Sequence, residues 1–365
     1  MKVKIERKSF IDALAIGSQM AAKAKGLSIL DNVKMMFKDN LATISSYDSE
    51  VAITKRVHVL EIESELTICV EPKALLSMLR SIKDDELELE FENHICNVKH
   101  KKGVLTMPYD DADDFPIPHL DSEMAKFDVD SESLFNWLKE AKNFAHTSTL
   151  YPQMMGVYLY FEDNEFGVAS TDMNVLYHNK CDYEYSSEKQ DAVVSVKAID
   201  ALLPMINGTE RVNVMNGSRN VAFRISDAML VATKPEAKYP NFKIIIPKKH
   251  EVEVDVNKDD FIDSTKRTLL TADEKTSLLK FNISGMAIKT ESDDMFNSKK
   301  AHDECFATCV GGEMIIGAEG TYVINILNCI ESDELKMHFE SERRPMVFFD
   351  SLNNNKIIVL MPCQV

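Results

Sequence analysis

The amino-acid sequence predicts an α+β fold built from three copies of one module, each with two helices packed on one face of an antiparallel sheet. Three observations predict it. Two classes of helix-like segment recur at a common period, and an alternating strand follows each helix of the second class. The segments between the helices alternate polar and apolar residues around Asp-Asn or Ser-Gly turns.

The first helix class comprises ERKSFIDALAIGSQMA from Glu6, DSESLFNWLKEAKNFA from Asp130 and NKDDFIDSTKRTLLTA from Asn257. Their leading apolar residues, Phe10, Leu134 and Phe261, stand 124 and 127 positions apart. A Ser or Asp precedes each periodic run, as a helix start requires. The second class comprises EPKALLSMLRSI from Glu71, SVKAIDALLPMI from Ser195 and EGTYVINILNCI from Glu319, in which Lys73, Lys197 and Thr321 recur every 124 positions. The strands ELELEF from Glu86, RVNVM from Arg211 and ELKMHF from Glu334 follow directly. Between the helices, NVKMMFKDNLATISSYDSE, GVYLYFEDNEFGVASTDMN and LLKFNISGMAIKTESDD carry the hairpin turns. Each module reads helix, strands, helix, strands, with boundaries at residues 1–122, 123–247 and 248–365. Amphipathic helices over alternating strands suit helices laid on one sheet face.

A chain of 365 residues exceeds the usual size of one core. Its 45% hydrophobic and 28% charged content is that of an ordinary globular chain. No apolar run of about 18 residues or more occurs, and MKVKIERKSF lacks a signal-peptide apolar region, so a cytoplasmic protein without membrane contact is expected. The seven cysteines are scattered and odd in number, which argues for buried thiols rather than a disulfide framework. His302, Cys305 and Cys309 lie close together, but FATCV around Cys309 reads as a strand and no second ligand pair follows. No metal site or cofactor is expected.

Catalytic signals are missing: there is no Walker A sequence, GxGxxG, HExxH or GxSxG. Asp110, Asp111, Asp113 and Asp114 carry carboxylates of the kind that hold Mg²⁺. However, no partner acid motif accompanies them, and Pro116 and Pro118 mark an exposed loop. A non-catalytic protein is expected. The net charge of −17 repels phosphate overall, so any nucleic-acid role requires charge to be segregated onto one face.

Several motifs resemble the β subunit of bacterial DNA polymerase III, the replicative sliding clamp, and the resemblance spans the chain. MKVKIER, LSILDNVKMMF and LATISSYDSE resemble its opening helix and hairpin, and DDFPIP (Asp113 to Pro118) its first interdomain loop. GVYLYFEDNEFGVASTDMNVLY resembles its second-domain hairpin, and KYPNFKIIIP (Lys238 to Pro247) its crossing into the third domain. VLMP (Val359 to Pro362) resembles its last strand. The resemblance implies clamp modules that close a ring as a head-to-tail homodimer. Such a ring encircles duplex DNA without reading its sequence and tethers the replicative polymerase as a processivity factor. It also implies a nucleoid-associated location and a divergent or phage-encoded member.

Helical-wheel spacing offers a test of a DNA-facing surface. Leu75, Met78, Leu79 and Ile82 define one buried stripe, and Lys73 and Arg80 lie away from it. Lys197 lies away from Ile199, Leu202, Leu203 and Ile206. Lys139 and His146 oppose Leu134, Leu138, Ala141 and Ala145, while Lys266 and Arg267 oppose Phe261, Thr265 and Thr268. The resemblance implies that these cations face DNA, and that Lys23 and Lys25 form a basic DNA-contacting loop. Acidic Asp12 and Asp200, and uncharged Thr321, Asn325 and Asn328, depart from that pattern on the same helix faces.

The resemblance further implies a pocket in which polymerase and clamp loader insert short apolar peptides. Matched position by position, it comprises Met154, Thr171, Met173, Asn174, Val175, Leu176, Pro240, Ile244, Ile245, Tyr322, Pro345, Val359, Met361 and Pro362. Apolar, Met-containing walls suit varied anchor residues. Cations usual in the family are replaced by Val175, Ile244 and Gln364, which implies an altered peptide preference. Leu105, Leu269 and Leu270 match dimer-interface positions. A second reading is a clamp-fold scaffold that binds proteins but does not encircle DNA.

Overall fold

In a computed structural model, residues 1–21, 28–118, 120–206 and 208–365 are described. All six expected helices form: α1 (Arg7–Gly17), α2 (Pro72–Ser81), α3 (Ser131–Ala141), α4 (Val196–Ile206), α5 (Lys258–Leu269) and α6 (Gly320–Leu327). The strands expected after the second helix of each module form as Glu86–Glu92, Arg211–Asn216 and Glu334–Phe339. Each module also opens with a strand that was not expected: Lys2–Glu6, Ala125–Asp130 and Val252–Asn257. These strands run directly into the helix cap. Glu6 accepts from the N–H groups of Lys8 and Ser9, Asp130 from Ser133, and Asn257 from Asp260. The order strand, helix, strands, helix, strands then occurs three times. Among the described residues, no helix is long and apolar enough to cross a membrane.

The chain forms two compact units. One comprises Met1–Asn136 and Val194–Lys234, the other Trp137–Val193 and Pro235–Val365. In the first unit, Phe10 and Leu14 of α1 and Leu75 and Leu79 of α2 share a core with Val3, Ile5, Leu87, Leu89 and Phe91. Burial of each such side chain is worth about 1.5–3 kcal/mol before entropy is counted. Gly17 lets α1 lie against the strand Leu41–Tyr47, because a Cβ there would meet Ile44 Cγ2 at 2.7 Å. Two sheets support this unit, one of five strands and one of nine. The nine-stranded sheet joins Val51–His58 of the first module to Ala228–Thr233 of the second.

The second unit is built on a twelve-stranded sheet in which Val175–Asp182 of the second module pairs with Asn353–Leu360 of the third. The expected hairpin turns form with left-handed backbone at Asp39-Asn40 and Asp163-Asn164, and at Gly285. One wheel assignment is corrected. α3 ends at Ala141 and tightens into a 3₁₀ turn over Lys142–Phe144, which turns Phe144 inward to stack on Tyr177. His146 therefore lies beyond the helix. Its Nδ1 accepts from the Ser148 N–H at 2.8 Å, and its ring packs on Tyr151.

Candidate functional site

The residues Thr171–Val175 form a tight turn between the strands Glu165–Thr171 and Val175–Asp182. Asp172 organises it: one carboxylate oxygen accepts from the N–H groups of Asn174 (2.9 Å) and Val175 (3.0 Å). The hydroxyl of Thr171 donates to the Val175 carbonyl at 2.6 Å and accepts from the Met173 N–H at 3.1 Å. Met173 takes φ +83° at the tip and stands 51% exposed. The second oxygen of Asp172 accepts from the Tyr322 phenol on α6, and the Asn174 side chain reaches the same phenol at 3.4 Å. Burial, then the Asp172 hydrogen bond, pushes the Tyr322 phenol up to about 12, so it remains a donor.

The last strand completes one wall. Val175 and Leu176 pair with Leu360 and Val359, and the Met361 N–H donates to the Asn174 carbonyl at 2.8 Å. Past Pro362, the Cys363 N–H donates to the Gly317 carbonyl at 2.8 Å. A Cβ on Gly317 would lie 2.7 Å from the Cys363 carbonyl oxygen, so this crossing requires glycine.

The segment Lys238 to Pro247 is clamped by aromatic side chains. Tyr239 stacks on Tyr158 at 4.5 Å, and Phe242 packs among Tyr158, Tyr160, Leu176, Val347 and Val359. Lys243 pairs with Glu162 at 2.6 Å and lies 4.9 Å above the Tyr160 ring. With Phe242 inward, Pro240, Ile244 and Ile245 face outward, Ile244 being 76% exposed. Met154 is buried in a 3₁₀ turn, and Pro345 immediately precedes Met346, the partner of Leu360.

The structure thus joins Thr171 to Leu176, Tyr322 and Val359 to Pro362 by direct bonds and pairing. Pro240, Ile244 and Ile245 are brought alongside through Phe242. No such bond ties Met154 or Pro345 to the turn among the described residues. Sequence reasoning missed Asp172, the pivot of the site, together with Tyr158, Tyr239 and Phe242. Thr171, Asp172 and Asn174, residue types that form side-chain-to-backbone turns, stand together between two alternating segments, and that was the available signal.

Comparison with known proteins bears on this arrangement. The profile of the DNA polymerase III beta subunit N-terminal domain matches residues 1–121, and that of its C-terminal domain residues 243–364, together two thirds of the chain. The chain belongs to the DNA polymerase III beta subunit family. A beta sliding clamp of Rickettsia bellii is 22% identical over 382 residues and that of Escherichia coli 20% over 370, each comparison covering 100% of both chains. The DNA polymerase sliding clamp of Pseudomonas aeruginosa superimposes with a TM-score of 0.96 at 17% identity over 100% of both chains. That of Bacillus subtilis gives 0.93 at 18%, covering 100% of this chain and 99% of that one. The fold is that of these clamps.

In this beta subunit family member, the helix cations divide into two groups. Lys73, Arg80 and Lys266 are exposed and form no ion pair among the described residues, and Lys139 is also exposed. Lys197 is half-buried, with Nζ 2.8 Å from Asp48 and 2.9 Å from Glu50, and Arg267 is paired with Asp303. Those two charges are locally neutralised. Lys23 and Lys25 lie outside the described residues. Asp12, Asp200, Thr321, Asn325 and Asn328 are exposed, as their wheel positions require. Leu105 is half-buried on Gly103–Pro108, one of the two edge strands of the five-stranded sheet. Leu269 is half-buried and Leu270 is 80% exposed at the end of α5.

Proposed function

We propose that this protein is a DNA sliding clamp: two copies close head to tail into a ring around duplex DNA and tether the replicative polymerase. The observation that carries the reading is end-to-end correspondence with beta sliding clamps, over 100% of both chains, in a family assigned independently from both ends. The modules 1–122, 123–247 and 248–365 are its repeating units. It acts without catalysis, because a closed ring holds DNA by topology and needs neither base contacts nor tight phosphate contacts. Its place is the cytoplasm, at the nucleoid.

Exposed strand edges support closure. Gly103–Pro108 pairs on one side only, and Lys299–Val310 is covered by Ala287–Asp294 along its first eight residues and by Glu253–Val256 along its last four. Each leaves backbone groups that seek a partner strand. Leu105 beside the first edge and Leu269 and Leu270 on the helix packed over the second supply apolar contacts to a heterologous, closing interface. The Thr171–Leu176 and Val359–Pro362 wall, with Tyr322, Met154, Pro240, Ile244, Ile245 and Pro345, receives short apolar peptides of polymerase and clamp loader.

The test is topological. Loaded onto a nicked circular plasmid, the protein is expected to remain bound through a high-salt wash and to be lost once the circle is cut. Retention on linear DNA with a steep salt dependence would instead mean ordinary electrostatic binding. The pairing of Lys197 and Arg267 with carboxylates favours a second reading, a clamp-fold scaffold that binds proteins without encircling DNA. Sedimentation as a monomer at micromolar concentration would decide for the scaffold.

A further inference from the structure

Val254, Met337 and Phe339 are buried, so the intervening residues Glu253, Lys336 and His338 turn to the opposite face of the sheet. On that face three metal-ligating side chains converge. Glu253 and His338 are directly opposite one another in the antiparallel pair, and His250 stands just before the same strand, Val252–Asn257. The ligand atoms of the three all lie within 4.8 Å of one another. His250 Nε2 is 3.6 Å and His338 Nε2 3.8 Å from the same Glu253 oxygen, Oε2.

These separations are too long for hydrogen bonds and fit a different purpose. A tetrahedral ion bound at about 2.0–2.1 Å holds its ligand atoms about 3.3 Å apart, a few tenths of an ångström closer than the two His–Glu separations. His338 Nε2 is shielded from solvent and has no hydrogen-bond partner, an arrangement that costs about 1–3 kcal/mol unless something fills it. The other Glu253 oxygen is engaged by Lys336 Nζ at 2.6 Å, which fixes the carboxylate and leaves Oε2 free to ligate.

The two imidazoles stack with centroids 3.8 Å apart at 25°. Stacked rings do not aim both lone pairs at one point, but His250 is exposed and can turn about its side-chain bonds to close the site.

We propose that His250, Glu253 and His338 bind a divalent transition-metal ion of the zinc class, with water in the fourth position. Two imidazoles and one free carboxylate oxygen suit such an ion and not Mg²⁺ or Ca²⁺, which require more oxygens. The site stands at the end of a cross-strand row, His338, Val347, Val359 and Leu176, that runs into the candidate peptide wall. At strand spacing the ion would lie about 14 Å from Leu176. It would pin residue 250 to the sheet and so anchor the segment carrying Ile244 and Ile245. This inference goes beyond the sliding-clamp reading and does not rest on it.

The experiment is a Co²⁺ titration of the full chain, followed by visible absorption and thermal melting. One equivalent is expected to bind with d–d bands of nitrogen and oxygen ligation and no thiolate charge-transfer band, and to raise Tm. His250→Ala, at an exposed position, is expected to keep the metal-free melt and circular dichroism of the parent. It is also expected to weaken binding at least ~10-fold and to remove the Tm increase. His250→Ala with Glu253→Gln is expected to abolish binding. A charge-transfer band from cysteine ligation, affinity unchanged by His250→Ala, or no saturable binding at millimolar Co²⁺ would each overturn the proposal.

Discussion

Tyr322 and Asp172, 150 residues apart in sequence, are joined by a hydrogen bond from the phenol to the carboxylate. The same carboxylate holds the backbone of Asn174 and Val175, so one side chain couples α6 to the turn that presents Met173. Tyr322→Phe removes the donor while keeping the ring. We expect a small stability loss, about 1 kcal/mol, and a roughly tenfold weaker affinity for a short apolar peptide, read by fluorescence anisotropy. Unchanged affinity would show that the turn does not need this anchor.

Lys356 is 1% exposed yet charged, and four groups hold it: the Cys329 carbonyl at 2.9 Å, Glu140 Oε1 at 3.2 Å, Asp350 Oδ2 at 3.3 Å and Glu331 Oε1 at 3.6 Å. Burial, with a smaller contribution from the Glu331 charge, pushes the Glu140 carboxyl up, and Tyr177 and Lys356 oppose that rise. Lys356→Met leaves buried Asp350 and half-buried Glu140 without their shared cation. We expect a loss of about 3–5 kcal/mol in urea unfolding, partly restored by adding Glu140→Gln. A loss under about 1 kcal/mol would refute this account of the network.

Such networks mark the limit of what the sequence discloses. All six helices are legible because their apolar residues recur with helical period, and the hairpins because Asp39-Asn40 and Asp163-Asn164 are turn residues that tolerate left-handed backbone. The strand opening each module is not, because five or six alternating residues run into a cap and merge with the helix pattern. Cross-strand groupings are invisible for a different reason. Nothing local to Glu253 states that His338 will lie opposite it, since register depends on the whole sheet. The pairing of Lys197 with Asp48 is hidden in the same way: wheel geometry places the lysine outward but cannot say which carboxylate the fold sets beside it.

Neutralisation of Lys197 leads to a test of the helix faces. Glu50 is exposed and shares that ammonium with buried Asp48, which also caps its own turn and should be left intact. Glu50→Gln therefore unmasks charge without disturbing the fold. We expect tighter electrostatic association with duplex DNA at low salt and a steeper salt dependence, by about one counterion or less. An unchanged salt slope in a binding titration would mean that Lys197 does not face the nucleic acid.

Leu270 stands 80% exposed at the end of α5, an unfavourable place for a leucine in an isolated chain. Leu270→Asp is expected to shift sedimentation toward the monomer, raising the dimer dissociation constant at least ~10-fold, while the unfolding free energy of the monomer stays within about 0.5 kcal/mol of the parent. A variant that remains dimeric at the same concentration would remove Leu270 from the interface.

His178 links stability of the same region to pH. It is buried on the strand that also carries Leu176, its Nε2 lies 2.8 Å from the Tyr160 hydroxyl, and Phe242 packs 5.1 Å away. Burial, followed by the charges of Lys180 and Lys243, pushes its imidazole down from 6.5 to about 4. Between those values the unfolded chain takes up a proton that the folded chain refuses, so stability rises with pH through this window. It is complete above pH 6.5 and falls as the pH is lowered toward 4, by about 3 kcal/mol if the full shift is expressed. Carboxyls held low in the fold, such as Asp350, withdraw their contribution at lower pH still. His178→Gln retains an acceptor for Tyr160 and cannot titrate. Urea unfolding of this variant from pH 7 to pH 4 should give a flatter profile than the parent, and parallel profiles would show that the imidazole is not the group that senses the acid.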